Sequence, residues 1–497
     1  MTSETQTQTQ TETEPQTRTV DTVNPATGRP LRSYPAFSDE QIDQALADAY
    51  GTARAWRGVA VEERARRLGA VAGVLRSRRE ELAGLITAEM GKPLPEALAE
   101  IDKCAWQCDQ YATSGAELLK PEHIETAAES SYIVYEPLGV VLAVMPWNFP
   151  FWQLFRFAVP AMLAGNTVLL KHSPNVTGSA LAIEEVFAAE LPPGVLRTLV
   201  VHESDVPAVA DRLIADSRVA AVTLTGSTRA GGHVAAAAGK ALKKSVLELG
   251  GSDPFVVLAD ADLRTAAVHA AKSRLMCAGQ TCIAAKRVIV HADVADEFER
   301  LFVDAIAAAT VGDPTAEGTS VGPLARADLL DHLERQVRES VAQGAKVLCG
   351  GERMDGDGNF FAPTVLTNVT RDMPVFSEET FGPVAALIRV QDDEEAIAVA
   401  NDTEYGLAAS VWSRDVEHAL AVGGRIESGC LFVNSFVSSD PRVPFGGIKR
   451  SGYGRELGAA GVREFTNVRS VWIAPTATPQ PATPQPSTPQ PSTAATE

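Results

Sequence analysis

Three stretches put a reactive side chain at the end of an apolar run. In AGQTCIAAKRVIV, residues 278–290, Cys282 follows Gly279-Gln280-Thr281 and precedes a β-branched run that reads as a buried strand. Beside a polar turn and a helix start, such a thiol has a lowered pKa and is a nucleophile; in apolar surroundings it is inert packing. In LELGGSDPF, 247–255, Glu248 stands at a strand end before a glycine pair. It is a general base if burial raises its pKa, and otherwise a surface carboxylate. In VMPWNFPFWQLFRF, 144–157, Asn148 follows a strand end between Pro146 and Pro150. Its amide can donate to a developing oxyanion or simply cap a rigid turn.

Further residues bear on binding. LTGSTRAG, 224–231, ends a strand and opens a helical stretch with Gly226 and Gly231. Glycine at such a turn lets phosphate approach the backbone, yet Gly232 and His233 rule out a P-loop and the spacing is not GxGxxG. A plain strand–helix turn reads equally well. Arg156 lies in a helix of aromatic and aliphatic neighbours. A guanidinium there either snorkels or meets an anion. SEETFGPV (377–384) and VPFGGIKRSGYGRELG (443–458) read by themselves as loops.

The elements that must position these residues follow from the rest of the chain. Its 497 residues exceed one ordinary core. The net charge of −19 argues against nucleic-acid or anionic-membrane partners. No apolar run of about 18 residues and no secretory signal is present. Six cysteines without CxxC spacing suggest reduced thiols in a cytoplasm and no metal site. Residues 38–118 read as mostly helical. From 139 onward, strand-like runs (GVVLAVM, NTVLLK, VLRTLVVH, VAAVTLT, SVLEL) alternate with helical stretches, and a second alternating series runs from about 251 to 449. That is βαβ alternation, hence a parallel, doubly wound sheet. The Thr/Gln/Glu-rich residues 1–17 and the Pro-rich residues 475–497 are expected to be disordered tails.

Taken together and in order, PWNFP, the GSTxxG turn, ELGGSDP, GQTC, EETFGPV and PFGG-K-SG-GRE resemble the aldehyde dehydrogenase superfamily over about residues 20–474. The resemblance implies an α/β fold with a Rossmann-like dinucleotide-binding domain (18–118 and 139–249). It also implies an α/β catalytic domain (250–449) and a small oligomerisation segment (119–138 and 455–474) that joins homodimers or homotetramers. It makes Cys282 the nucleophile towards an aldehyde, Asn148 and the Cys282 N–H the oxyanion donors, and Glu248 the base that activates water for thioester hydrolysis. NAD or NADP would accept hydride. Lys171 would face the adenosine ribose; Trp147, Gly226, Ser227, Gly231 and Leu249 would line the dinucleotide; Glu379 and Phe381 would hold the nicotinamide riboside. Many NAD-preferring members carry a glutamate three residues after this lysine; here Pro174 stands there, so a 2′-phosphate is not repelled.

Within the superfamily, LLKHSPNVTGSA and VLELGGSDPFVVL are most similar to bacterial succinate-semialdehyde dehydrogenases. That similarity makes Arg156, eight residues after Asn148, a carboxylate-binding residue, with Ser438 or Ser439 adding a hydrogen bond. A second arginine found in some members is replaced by Met276, and the regulatory-disulfide cysteine of others by Ala284. A broader aliphatic or aromatic aldehyde dehydrogenase, with Arg156 serving structure, is the runner-up. A catalytically silent scaffold and a cysteine hydrolase are the rivals from other classes. No motif places a histidine for the latter.

Overall fold

The computed structural model describes residues 18–475. The expected disordered tails therefore lie outside the described residues, Pro475 excepted.

Five parallel strands form the first large sheet: Val140–Met145, Thr167–His172, Leu196–Leu199, Val219–Thr225 and Lys244–Glu248. Numbered within that unit, they lie side by side in the order 5-4-1-2-3, and the short strand Gly452–Tyr453 adds antiparallel to Lys244–Glu248. This is the doubly wound, Rossmann-like arrangement. Its strands are nearly continuous Val, Leu, Ala and Thr because helices cover both faces. Register aligns their carboxyl ends: Val144 pairs with Lys171 and with Leu224, and Thr225 pairs with Glu248. Lys171, Gly226, Glu248 and the Pro146–Phe149 turn thus share one edge. The strand order reverses there, between Val140–Met145 and Val219–Thr225, where such sheets open a crevice.

A seven-stranded sheet follows, in the order Lys346–Cys349, Thr364–Thr367, Val384–Val390, Arg287–His291, Pro254–Val257, Ala408–Trp412, Cys430–Val433. All its pairs are parallel except the first. The chain crosses from one sheet to the other within five residues, between Glu248 and Pro254. The first sheet therefore offers carboxyl ends to the crossing and the second offers amino ends. Cys282 precedes Arg287–His291 and Phe381 precedes Val384–Val390 on that side.

Helix Pro150–Leu163 is buried along its whole length between the first sheet and helices Val61–Ser77 and Leu94–Leu118. A three-stranded antiparallel sheet joins Glu122–His123, Ser130–Pro137 and Thr466–Ile473. Among the described residues, no helix is long and apolar enough to cross a membrane.

Candidate active site

The candidate nucleophile, Cys282, follows a strained turn. Cys277, Ala278 and Gly279 are successive left-handed residues, with φ of 55°, 52° and 75°. Two of them carry a Cβ, at a cost of about 1 kcal/mol or more each. A Cβ at Gly279 would lie 2.2 Å from the Gly382 carbonyl oxygen, so glycine is required there. The turn is held from several sides. Glu96 accepts from the Cys277 N–H at 2.8 Å, Arg274 donates to the Gly279 carbonyl at 2.5 Å, and Gln280 accepts from the Ala325 N–H at 2.9 Å. Beyond it, the Lys286 ammonium donates to the carbonyls of Cys282 (2.7 Å) and Gly251 (2.6 Å) and to Glu379 (2.9 Å).

One expectation fails here. No helix starts at Cys282, which lies in a turn, and its thiol is not held low. Burial pushes it up to about 12, against the opposing pull of Arg156 and Lys286. In a low-dielectric pocket, desolvating a thiolate outweighs two imperfectly placed cations. All six cysteines are free thiols. Cys104, Cys108 and Cys277 are fully buried, and burial pushes each of their thiols upwards.

Asn148 is not a cap. Helix Pro150–Leu163 begins after Phe149 with no local side-chain cap, and Glu100 of helix Leu94–Leu118 instead accepts from the N–H groups of Phe151 (2.9 Å) and Trp152 (3.0 Å). Lys92 pairs with the same carboxylate. Asn148 is buried and donates one Nδ2 hydrogen to the Gln280 carbonyl at 3.0 Å, which leaves the other free. That bond ties the amide to the turn carrying Cys282.

Glu248 is 2% exposed, so it is no surface carboxylate. Neither of its oxygens has a hydrogen-bond partner of good geometry, and the Gly447 backbone gives only a weak pull. Burial raises its pKa well above the usual carboxylate range; Arg156 opposes this and Glu456 adds to it. A Cβ at Gly446 would sit 2.7 Å from its Oε1, so the glycine pair 446–447 leaves the carboxyl its room.

Arg156 does meet an anion, and that anion is Glu456, 300 residues away and equally buried. The guanidinium lies 4.7 Å from the Phe445 ring centroid, and its Nη2 is buried without a partner. Glu248 and Cys282 both act on its charge, so the four groups share one electrostatic neighbourhood. Ser439 is buried and accepts from Lys103 at 2.9 Å; Ser438 is exposed.

The crevice suits a dinucleotide. Lys171 is buried at its strand end and, among the described residues, makes no ion pair; burial holds its amine down to about 8. Gly226 faces open space: a Cβ there would approach only Leu224, at 3.5 Å. Ser227 caps helix Thr228–Lys240 by accepting from the Ala230 N–H at 3.2 Å, so that N-terminus points at the crevice. Buried hydroxyls of Thr223 and Thr225 lack partners beside it. Glu379 accepts from the Gly251 N–H at 3.0 Å, and Phe381 meets Trp147 edge-on at 5.8 Å. Gly231 differs from the other glycine: a Cβ would fall 2.5 Å from Leu249, so it serves close helix–strand packing.

A family model for the aldehyde dehydrogenase family matches residues 12–471, and this chain belongs to that family. It is 48% identical over 456 residues to a probable succinate-semialdehyde dehydrogenase [NADP(+)] of Synechocystis sp., covering 92% of this chain and 100% of the relative. It is 49% identical over 451 residues to the succinate semialdehyde dehydrogenase [NAD(P)+] of Escherichia coli, covering 90% and 97%. Among solved structures it resembles succinic semialdehyde dehydrogenase from Streptococcus pyogenes in complex with NADP+, with a TM-score of 0.88, 38% identity and coverage of 92% and 100%.

Sequence reasoning missed Lys286, Glu456 and a polar stripe on helix Leu94–Leu118. Glu96, Glu100, Lys103, Gln107 and Tyr111 recur at helical spacing, so they share one face. Gln107 donates to the Phe155 and Arg156 carbonyls at 3.0 and 3.3 Å, and Tyr111 donates to the Pro441 carbonyl at 3.2 Å. The spacing was a usable signal. Glu456 lies in the GRE that closes the last motif, but nothing local connected it to Arg156.

Proposed function

We propose that this chain oxidises succinate semialdehyde to succinate with NAD or NADP. The observation that carries the reading is Arg156: a buried cation in the electrostatic neighbourhood of Cys282, with one unpaired guanidinium nitrogen. A substrate with a carboxylate at one end and an aldehyde at the other would find an anion partner and a nucleophile in that one neighbourhood.

In this mechanism Cys282 loses its proton to solvent and Sγ bonds to the aldehyde carbon. The resulting oxyanion takes the free Nδ2 hydrogen of Asn148 and the Cys282 N–H. Lys171, Gly226, Ser227, Trp147, Leu249, Glu379 and Phe381 would hold a dinucleotide, which would supply the hydride acceptor needed to oxidise the thiohemiacetal to the thioester. Glu248 then takes a proton from water as its oxygen attacks the thioester carbon. Collapse expels the Cys282 thiolate and releases the acid. Among the described residues Lys171 makes no ion pair, Glu203 acting on it only through its charge, and Pro174 supplies no carboxylate, which suits a 2′-phosphate at the ribose site.

A second reading has its own observation. Glu456 already neutralises Arg156, which suits a structural arginine and a broader aldehyde range. The test compares kcat/KM for succinate semialdehyde and butyraldehyde, each with NAD and with NADP. If Arg156 holds the carboxylate, Arg156→Ala lowers the ratio of the two by about two orders of magnitude, the worth of a charged hydrogen bond. An unchanged ratio assigns Arg156 to structure and the enzyme to the broader class.

The reading extends to assembly in a cytoplasm. The strand Thr466–Ile473 leaves Val468 and Trp472 exposed on one face of the three-stranded sheet, a face suited to a second copy in a homodimer or homotetramer. Light scattering should give a mass of two or four chains; a single-chain mass removes this part of the proposal.

A further inference from the structure

The polar stripe on helix Leu94–Leu118 contains one member that does not anchor backbone. Glu96, Glu100, Gln107 and Tyr111 each hold a main-chain group of a neighbouring segment. Lys103 instead points its ammonium at a side chain, the Ser439 hydroxyl at 2.9 Å, and lies 4.3 Å from the Trp152 ring centroid. It is half-buried, and among the described residues it makes no ion pair. The carboxylates nearest it are committed elsewhere. Glu100 is taken by Lys92 and two amides, and Asp440 is held at both oxygens by Arg442, at 2.9 and 2.7 Å. Of three ammonium donors, Ser439 uses one.

An ammonium in that setting lacks a counterion. Arg156, from the facing helix Pro150–Leu163, repels it; Asp440, from the loop that carries Ser439, and Glu100, from its own helix, attract it, while the adjacent Cys104 thiol is kept neutral by burial. We propose that Lys103 is a specificity-determining residue that binds the far carboxylate of the substrate, opposite the free guanidinium nitrogen of Arg156 and beside Ser439. An anion between the two cations removes their mutual repulsion and gives each free donor an acceptor. The proposal rests on the reading that the substrate carries such a carboxylate. It goes beyond it by assigning a second cation, from a different helix, to the same anion. Burial and Arg156 together hold the amine down to about 8, so its charge titrates within a usable range.

The experiment uses the full chain with Lys103→Met and Lys103→Arg, and reads kcat/KM for succinate semialdehyde and butyraldehyde. Groups that serve both substrates cancel in the ratio. The unmodified chain is expected to prefer the semialdehyde. Lys103→Met is expected to lower the ratio by about ten- to a hundredfold, through KM of the semialdehyde. Lys103→Arg is expected to keep most of it. With lysine, the ratio falls as pH rises through about 8, because the binding form is the protonated one; with arginine it stays level. A ratio unmoved by Lys103→Met overturns the proposal and leaves Lys103 as a clasp for the Ser439 loop. If the unmodified chain shows no preference for the semialdehyde, the substrate reading itself fails and the second cation fails with it.

Discussion

Cys282→Ala is expected to abolish NAD(P)H formation from succinate semialdehyde and from butyraldehyde alike, by on the order of 10⁴-fold or more. The effect is this large because in the proposed mechanism the thiol bonds to the substrate, whatever the substrate's far end. The turn around it is held by groups other than its own side chain: Glu96 on Cys277, Arg274 on Gly279 and Lys286 on the Cys282 carbonyl. Removing the sulfur should therefore leave the fold and the cofactor crevice intact. Dinucleotide binding, followed by fluorescence quenching, provides the control. Binding retained with turnover lost supports the role of the thiol; substantial residual turnover in the alanine variant overturns it. Cys277 offers no replacement, since its sulfur is buried and donates to the Asn148 carbonyl at 3.4 Å.

The second large effect belongs to Glu248. Glu248→Gln preserves shape and removes the base, so one turnover should proceed while hydrolysis of the acyl-enzyme stalls. A rapid-mixing experiment is expected to show a burst of NAD(P)H approaching one equivalent per chain, followed by a steady rate reduced by about 10³-fold. Mass spectrometry of the quenched protein should find the acyl group on Cys282. A steady rate within a few-fold of the unmodified chain would assign water activation to another group. The pH dependence has a definite sign. Burial raises the carboxyl of Glu248 well above its usual range, so at low pH it is protonated and cannot accept a proton. Deacylation in the unmodified chain should rise as pH rises through that elevated value, and the glutamine variant should lack this limb.

Much of this molecule was legible before any coordinates. The alternation of apolar strands and amphipathic helices from residue 139 onward depends on neighbours in sequence, and the buried strand Val219–Thr225 coincides with the run VAAVTLT. Asn148, Glu248 and Cys282 stood out as candidates because each follows or precedes an element boundary marked by proline or glycine, within motifs that are specific in combination. Their identity, and the hydride-transfer chemistry it implies, required no distances.

Other properties belong to the tertiary structure alone. The expected low pKa of Cys282 gave way to a raised one, because what titrates a thiol is the water it loses and the charges that surround it. Those charges come from residues 156, 253, 286 and 379. Arg156 was read as an arginine that either snorkels or meets an anion; the fold decides for an anion and names it as Glu456, which reaches it from beyond the second sheet. Ser227 and Gly231 illustrate the same division within eight residues: the turn is legible, but only packing assigns one to a helix cap and the other to the face of Leu249. Lys103 is the sharpest case. Its helical position follows from sequence, whereas its lack of a counterion is a statement about every carboxylate nearby, and only the fold brings those together. Local sequence sets backbone conformation through short-range sterics and periodicity; burial and long-range pairing set the protonation, partners and therefore the specificity of the site.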